Sequence, residues 1–439
     1  MRFTSERVCG DIDYASSSTF VNLCRRIKDT HFSRTRKMPL QKLLLTMFNR
    51  LGTTLSIELR RFMELSDTNE RISTPGYLKQ RLKLAPEAIM ALCDFHNTGL
   101  YRDEDMQDFH GYLLLASDGS GLNVPTTPET LAAYGSSSTK NARQQASLGL
   151  SCLYDVINKV ILCCSINRVK FNEADQAKAH LEQVSNIIGD RKTIITLDRG
   201  YPSLPLFYHF LETGQKFAVR LKSNDYKAER KLMETDDEWV DVKIDTSRLA
   251  NYIGTDTYDQ LLQAGHIRLR IVNVKLSGGA EVIIATNLDE SEFNTSDISH
   301  IYSLRWGVES AFDMLKNHLQ IENFTGTKVV LIEQDIFACI YLCNLIQDMI
   351  ADAQAIMDSS DEPPKKHKMA INRAYAVGVM KDELVKALLE TDKDKKTRIF
   401  TTMVSEIQSH VLPVRPDRHY PRKKGVTANK YPNSHKRCY

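Results

Sequence analysis

Between Tyr112 and Leu221 the chain carries five short runs rich in Leu, Ile and Val: Tyr112–Ala116, Leu148–Tyr154, Lys159–Ser165, Thr193–Leu197 and Lys216–Leu221. Runs of this length and type are suited to strands buried on both faces. Asp155–Asn158 reads as a hairpin turn between the second and third. Asn172–Ile188 brings Ala174, Ala177, Leu181, Val184 and Ile188 onto one helical face, and Ser203–Thr213 reads as a second helix. Three strands, a helix, a strand, a helix and a strand predict an α/β domain on a mixed sheet.

The flanks differ in texture. Ser223–Glu281 is polar and strand-like, with Trp239–Ile244 and His266–Leu276 as candidate strands, and reads as a β-rich insertion. Val282–Ala285 resumes the buried pattern. Ser296–Leu319 and Phe337–Ala353 read as helices, and the linker Ser359–Lys368 separates them from the C-terminal residues. Before the sheet, Leu43, Leu44, Met47 and Leu51, then Ile57, Leu59, Phe62 and Met63, recur at three- and four-residue steps. The pattern breaks near Gly52 and at Ser66–Asp67, and another helix begins after Pro86. These short helices are either a helix-turn-helix DNA reader or a small packing domain, and no recognition helix stands out. The expected division is an N-terminal helical region (1–110), the core in two parts (111–222 and 282–352) around the insertion (223–281), a C-terminal helical region (353–412) and a tail (413–439).

A chain of 439 residues, 42% hydrophobic and 26% charged, is a folded protein of more than one ordinary domain. No apolar run approaches the roughly 18–20 residues that cross a bilayer, so no membrane is expected. The first residues lack the apolar core of a signal peptide. Nine cysteines without a CxxC pair argue against a disulfide framework and a zinc ribbon, and point to a reducing cytosol. The net charge of +3 is unevenly placed: Pro413–Tyr439 carries +7 and the remainder −4. Such a tail is either solubilising or suited to a polyanion. Met1–Lys37, at +4, is a milder case.

Two carboxylates lie where apolar runs give out. Asp118 precedes Gly119-Ser120-Gly121, and Asp198 precedes Arg199-Gly200-Tyr201. Ligands of open α/β sheets bind beyond the carboxyl ends of strands, although either residue alone is as well explained as a turn aspartate. On a continuous helix at 100° per residue, Tyr302, Arg305, Glu309 and Lys316 occupy an arc of about 60°. That column serves a metal and a phosphate backbone together, or is a solvated face with an ordinary Arg305–Glu309 pair. Three acids from two strand ends and a helix suit two Mg²⁺ (or Mn²⁺) ions, which take oxygen ligands and promote in-line phosphodiester displacement. No zinc-spaced His pair, phosphate-binding GxxxxGK[ST] loop or GxSxG elbow is present.

Tyr302-x2-Arg305-x3-Glu309-x6-Lys316 resembles the signature of DDE transposases of the insertion sequence four family. Ser117–Pro125 and Thr196–Ser203 resemble the segments holding that family's two aspartates, and Thr286–Leu288 and Arg415–Lys424 are similar to further family segments. The likeness covers about Tyr112–Asp352. It implies a ribonuclease-H-like core with an insertion between the second Asp and the Glu, and a metal-binding triad of Asp118, Asp198 and Glu309. It also implies that Tyr302, Arg305 and Lys316 contact DNA at the element end. Arg220 and Lys222, in a segment similar to one that approaches end DNA, join them. Trp306 either stacks on a base or belongs to the core. The implied activity is hydrolysis at each inverted-repeat end of double-stranded DNA, then strand transfer of the freed 3′-hydroxyl into target DNA by a homodimer in a prokaryotic cytoplasm, associated with the nucleoid. The alternative is a catalytically silent, transposase-derived DNA-binding protein or repressor.

Overall fold

In the computed structural model, which describes residues 3–34, 37–49, 52–66, 70–102, 106–137, 144–275, 281–359 and 367–414, the apolar runs become strands of a single sheet. The tail from 415 onward, Leu51, Asp67 and most of the Ser359–Lys368 linker lie outside the described residues. The strands are β1 (Leu113–Asn123), β2 (Ser147–Asp155), β3 (Val160–Arg168), β4 (Thr193–Leu197), β5 (Lys216–Leu221), β6 (Asp237–Lys243), β7 (His266–Lys275) and β8 (Glu281–Thr286). Their order is β3-β2-β1-β4-β5-β8-β7-β6. β1, β4 and β5 run parallel, while β2 and β3 pair antiparallel on one side and β8, β7 and β6 on the other. This is the mixed α/β architecture of a ribonuclease-H-like core. The insertion continues the core sheet, because its strand β7 pairs with β8, which in turn pairs with β5.

The Thr286–Leu288 segment shows why that junction holds. Asn287 Nδ2 donates to the Gln215 carbonyl (2.9 Å), and Asn287 Oδ1 accepts from the Phe217 amide (3.0 Å). Across the insertion, buried Arg270 forms a two-pronged pair with Asp237 at 2.7 Å for each contact and donates to the Leu288 and Phe293 carbonyls. A planar guanidinium spends its donors well in such a setting, since every buried polar group left unmatched costs about 1–3 kcal/mol.

Alternation along the strands separates two cores. Leu113, Leu115, Ile195, Leu197, Phe217 and Val219 face helices Glu173–Ile188 and Leu204–Glu212. Leu114, Ala116, Ile194 and Ala218 face the opposite way, into a larger core that also takes in the N-terminal helices, the signature segment and the helix Val329–Asp358. The N-terminal helices therefore share their core with the sheet. Arg81, fully buried, donates to Gln334 (2.9 Å) and the Leu331 carbonyl (3.0 Å) and pairs with Asp335. Thr4 donates from its amide and its hydroxyl to Asp352, both at 2.8 Å.

Two expectations need correction. The apolar helix is longer than Phe337–Ala353, and by length and composition it is able to cross a bilayer, contrary to the reading that no such run exists. However, 78% of its most apolar stretch is buried inside the protein, where the N-terminal and C-terminal helices cover it. Second, Ser296–Leu319 is not one continuous helix. It consists of Thr295–Leu304, a tight turn at Arg305–Trp306, Gly307–Asp313 and a π-turn at Met314–His318. Gly307 marks the first break, where a Cβ would stand 3.3 Å from Val156 Cβ, so the β2–β3 hairpin packs against bare backbone. At the second, the Leu319 amide reaches back five residues to the Met314 carbonyl (2.9 Å). A wheel at constant angle does not describe this segment.

Within helix Pro86–Tyr101, burial pushes the Asp94 carboxyl up to about 6. Its folded value exceeds its unfolded one, so this group favours folding at low pH and that contribution is lost as pH rises from about 4 through about 6. Asp94→Asn is expected to leave stability at pH 4 unchanged and raise it at pH 7.5 by about 1–3 kcal/mol, measured by urea unfolding at both values.

Candidate active site

The parallel pairing of β1 with β4 ends at Ala116–Thr196, whereas β1 stays paired with β2 as far as Asn123. Asp118 is thus within a strand on one side, contrary to the expectation that its strand runs out there, and beyond the last paired residue on the other. Asp198 follows the end of β4. Two residues past the last β1–β4 pair on each strand, the aspartates share the face of Ala116 and Thr196, which is also the face of the signature segment. Arg220 of β5, two residues beyond Ala218, lies on this face as well.

Asp118 is half-buried, and its Oδ1 accepts from the Gly119 amide at 2.8 Å. Burial raises its pKa, the Gly119 amide and Arg305 oppose the rise, and Glu309 and Asp198 add to it. Asp198 Oδ1 accepts from the Tyr302 hydroxyl (3.2 Å) and lies 3.8 Å from Arg220 Nη1. Tyr302 is fully buried, and burial is the main cause of its raised pKa.

Arg305 organises the charges. Only 2% exposed, its guanidinium lies 3.4 Å from Glu309 Oε1 and carries the rings of Tyr302 and Trp306 at 5.7 and 5.0 Å. Burial would lower its pKa, but Tyr302, Asp198, Asp118 and Glu309 together raise it, so the guanidinium is a fixed cation among the three acids. Glu309 keeps 43% of its side chain exposed. Trp306, 41% exposed, is a surface residue, which removes the core alternative.

Lys316, turned by the π-segment, donates to Ser120 Oγ (2.7 Å) and the Gly121 carbonyl (2.9 Å). Burial lowers its pKa, against the pull of Glu322. Lys222 is exposed just after β5, where its amide donates to Asp225 (2.8 Å). Asp118, Asp198, Glu309, Tyr302, Arg305 and Arg220 are therefore neighbours, with Lys316 on the same segment but anchored to β1 and Lys222 at the rim. Among the described residues, no three carboxylate, imidazole or thiolate side chains stand close enough to share one ion in this arrangement.

The donor set itself suits a hard divalent cation: carboxylate oxygens without thiolate or imidazole. One buried atom at the site, Arg305 Nε, has no hydrogen-bond partner among the described residues. Unmatched buried polar atoms mark a place where a ligand or water completes the set. Sequence reasoning missed Tyr201 and also Glu173, whose raised pKa comes mostly from burial and then from Asp118 and Asp198. Nothing in the run Phe171-Asn172-Glu173 distinguishes it from an ordinary capped helix start.

Fold and site together define a ribonuclease-H-like α/β protein with acidic strand ends facing a basic–acidic helical segment. The family model of the transposase DDE domain matches residues 109–345, and the chain belongs to that family. Among relatives, transposase InsG of insertion sequence element IS4 from Escherichia coli K12 is 22% identical over 242 residues, covering 54% of this chain and 52% of InsG. The putative transposase InsL of element IS186A from the same strain is 30% identical over 107 residues, covering 24% of this chain and 27% of InsL. The chain thus spans about half or less of the length of these relatives. A cryo-EM structure of a piggyBac transposase synaptic complex with hairpin DNA aligns with a TM-score of 0.46 and 11% identity, over 93% of this chain and 87% of that one.

Lys316→Met is expected to remove both contacts to β1 and lower stability by about 1–2 kcal/mol, measured by urea unfolding. An unchanged midpoint would mean that the ammonium group does not anchor the π-turn.

Proposed function

We propose that the chain is an insertion-sequence transposase that cuts double-stranded DNA at inverted-repeat ends and joins the freed 3′-hydroxyl to target DNA. The observation that carries this reading is the placement of Asp118 and Asp198 on one face at adjacent parallel strand positions, with Arg305 between them and Glu309. Asp118, Asp198 and Glu309 would hold two divalent cations, Mg²⁺ or Mn²⁺. When bound, such ions supply positive charge that makes an attacking oxygen nucleophilic and stabilises the departing one.

The chain's own groups supply the rest. Arg305, fixed by its neighbours, offers a cation to a phosphate brought against the carboxylates, and Arg220 offers a second. Tyr302 orients Asp198 through its hydroxyl. Exposed Trp306 and Lys222 at the rim fit a base to stack on and a phosphate to neutralise. Lys316 acts by holding β1 against the signature segment, and its ammonium reaches DNA only by exchanging those contacts. Two ends cut in concert call for a homodimer on DNA, and substrate DNA places the protein at the nucleoid of a prokaryotic cytoplasm.

Glu309→Gln tests the reading. With labelled inverted-repeat DNA and Mg²⁺, cleavage is expected to fall by at least about a thousandfold while the gel shift of the uncut ends persists. Cleavage at the parent rate would remove Glu309 from the catalytic set. Cuts without joined products in the same reaction would reduce the assignment to a nuclease.

A further inference from the structure

We propose that Lys159, Lys368 and Arg373 form a second phosphate-binding surface, which holds the backbone of double-stranded DNA where it runs on from the catalytic acids across the turn between β2 and β3. The inference rests on the transposase reading above and adds a place where the duplex is gripped away from the chemistry.

The three cations come from separate parts of the chain. Lys159 ends the turn between β2 and β3, Lys368 precedes the short strand Met369–Ile371, and Arg373 opens the helix Arg373–Leu389. All three line one open cleft beside the C-terminal half of helix Val329–Asp358. Burial is the first cause of the lowered pKa of Lys159, and Arg373 and Lys368 lower it further, so the charges face one another. Among the described residues, none of these three side chains makes an ion pair or a hydrogen bond. The carboxylates that line the same cleft are engaged elsewhere: Asp348 by Arg7, Asp352 by Thr4, and Asp358 by the Gln354 amide group at 2.9 Å. Converging cations without counter-charges repel one another, and a phosphate oxygen relieves that repulsion.

The backbone singles out Lys159. Its φ is 62°, in the left-handed region that favours glycine, while its amide donates to the Asp155 carbonyl at 2.8 Å. Glycine would make the same turn without strain. The lysine is therefore kept for its side chain and not for the turn.

Position names the partner. Asp155 pairs with Leu115, three residues or about 10 Å along β1 from Asp118. Its neighbour Val156 packs on Gly307, the residue after exposed Trp306. On the far side of the cluster, the Val414 amide donates to the Lys368 carbonyl at 2.8 Å, so the tail that carries +7 leaves the fold at this cluster. Acids, Trp306, three cations and the start of a basic tail thus succeed one another. A long, continuous anion fits this sequence of groups, and one turn of duplex DNA, about 34 Å, spans the acids and the cluster together.

Anisotropy titrations of the full chain with labelled duplex DNA, without metal and at several salt concentrations, test the proposal. On an inverted-repeat end flanked by further duplex, Lys159→Gly is expected to weaken binding about three- to tenfold. The slope of log affinity against log salt should fall by about one, with the melting temperature held near the parent value because glycine suits this backbone. Lys368→Gln combined with Arg373→Gln is expected to lower the slope by about two, and it serves as the test should the glycine variant not fold. Lys395→Gln, an exposed change at the far end of helix Lys393–Ser409, should leave affinity and slope unaltered. Parent-like affinity and slope in the cluster variants overturn the proposal. A parent that binds duplex but does not cut it with Mg²⁺ overturns the transposase reading and leaves the slopes to decide this one. If the parent binds no duplex at all, both fall.

Discussion

The site exists because two neighbouring strands are of unequal length. β4 stops after five residues, while β1 continues to its eleventh along β2. Beyond Ala116 the backbone of β1 therefore has an open edge on one side and a rigid partner on the other. Asp118 is held by a sheet yet faces unpaired space, which is the rare condition of a precisely placed group that a ligand still reaches. Equal strands would have closed that edge with main-chain hydrogen bonds and left only turn aspartates.

Arg305 meets the electrostatic problem this creates. Acids gathered on one face in a half-buried setting favour protonation, first through burial and then through mutual repulsion, as the raised pKa of Asp118 records. A buried guanidinium among them offsets part of that repulsion without any ion present. Tyr302 and Arg305 are turned inward, while Trp306 and Glu309 keep an exposed side.

Much of this was legible in the sequence. Thr193–Leu197 and Lys216–Leu221 coincide with the observed strands because both are short, apolar on both faces and bounded by polar turns. Asp118, Asp198, Glu309, Arg305 and Tyr302 were found by motif and come together. What escaped was whatever depends on a neighbour far along the chain. The extension of β1 through Asp-Gly-Ser-Gly has no strand propensity and is imposed by β2. The turn at Arg305–Trp306 precedes Gly307, against whose bare backbone the distant β2–β3 hairpin packs. Glu173 has no periodic or compositional mark at all, and its carboxylate lies against Gly119, 54 positions before it.

The bond between Thr4 and Asp352 joins the first described helix to nearly the last turn of the 30-residue central helix, across 348 positions. Arg7 reaches Asp348 in the same neighbourhood. On a ribosome the N-terminal helices emerge long before the segment that covers their apolar faces has been made. They must wait, exposed, through synthesis of the entire sheet, so the nascent chain is sticky for most of its production and calls on chaperones.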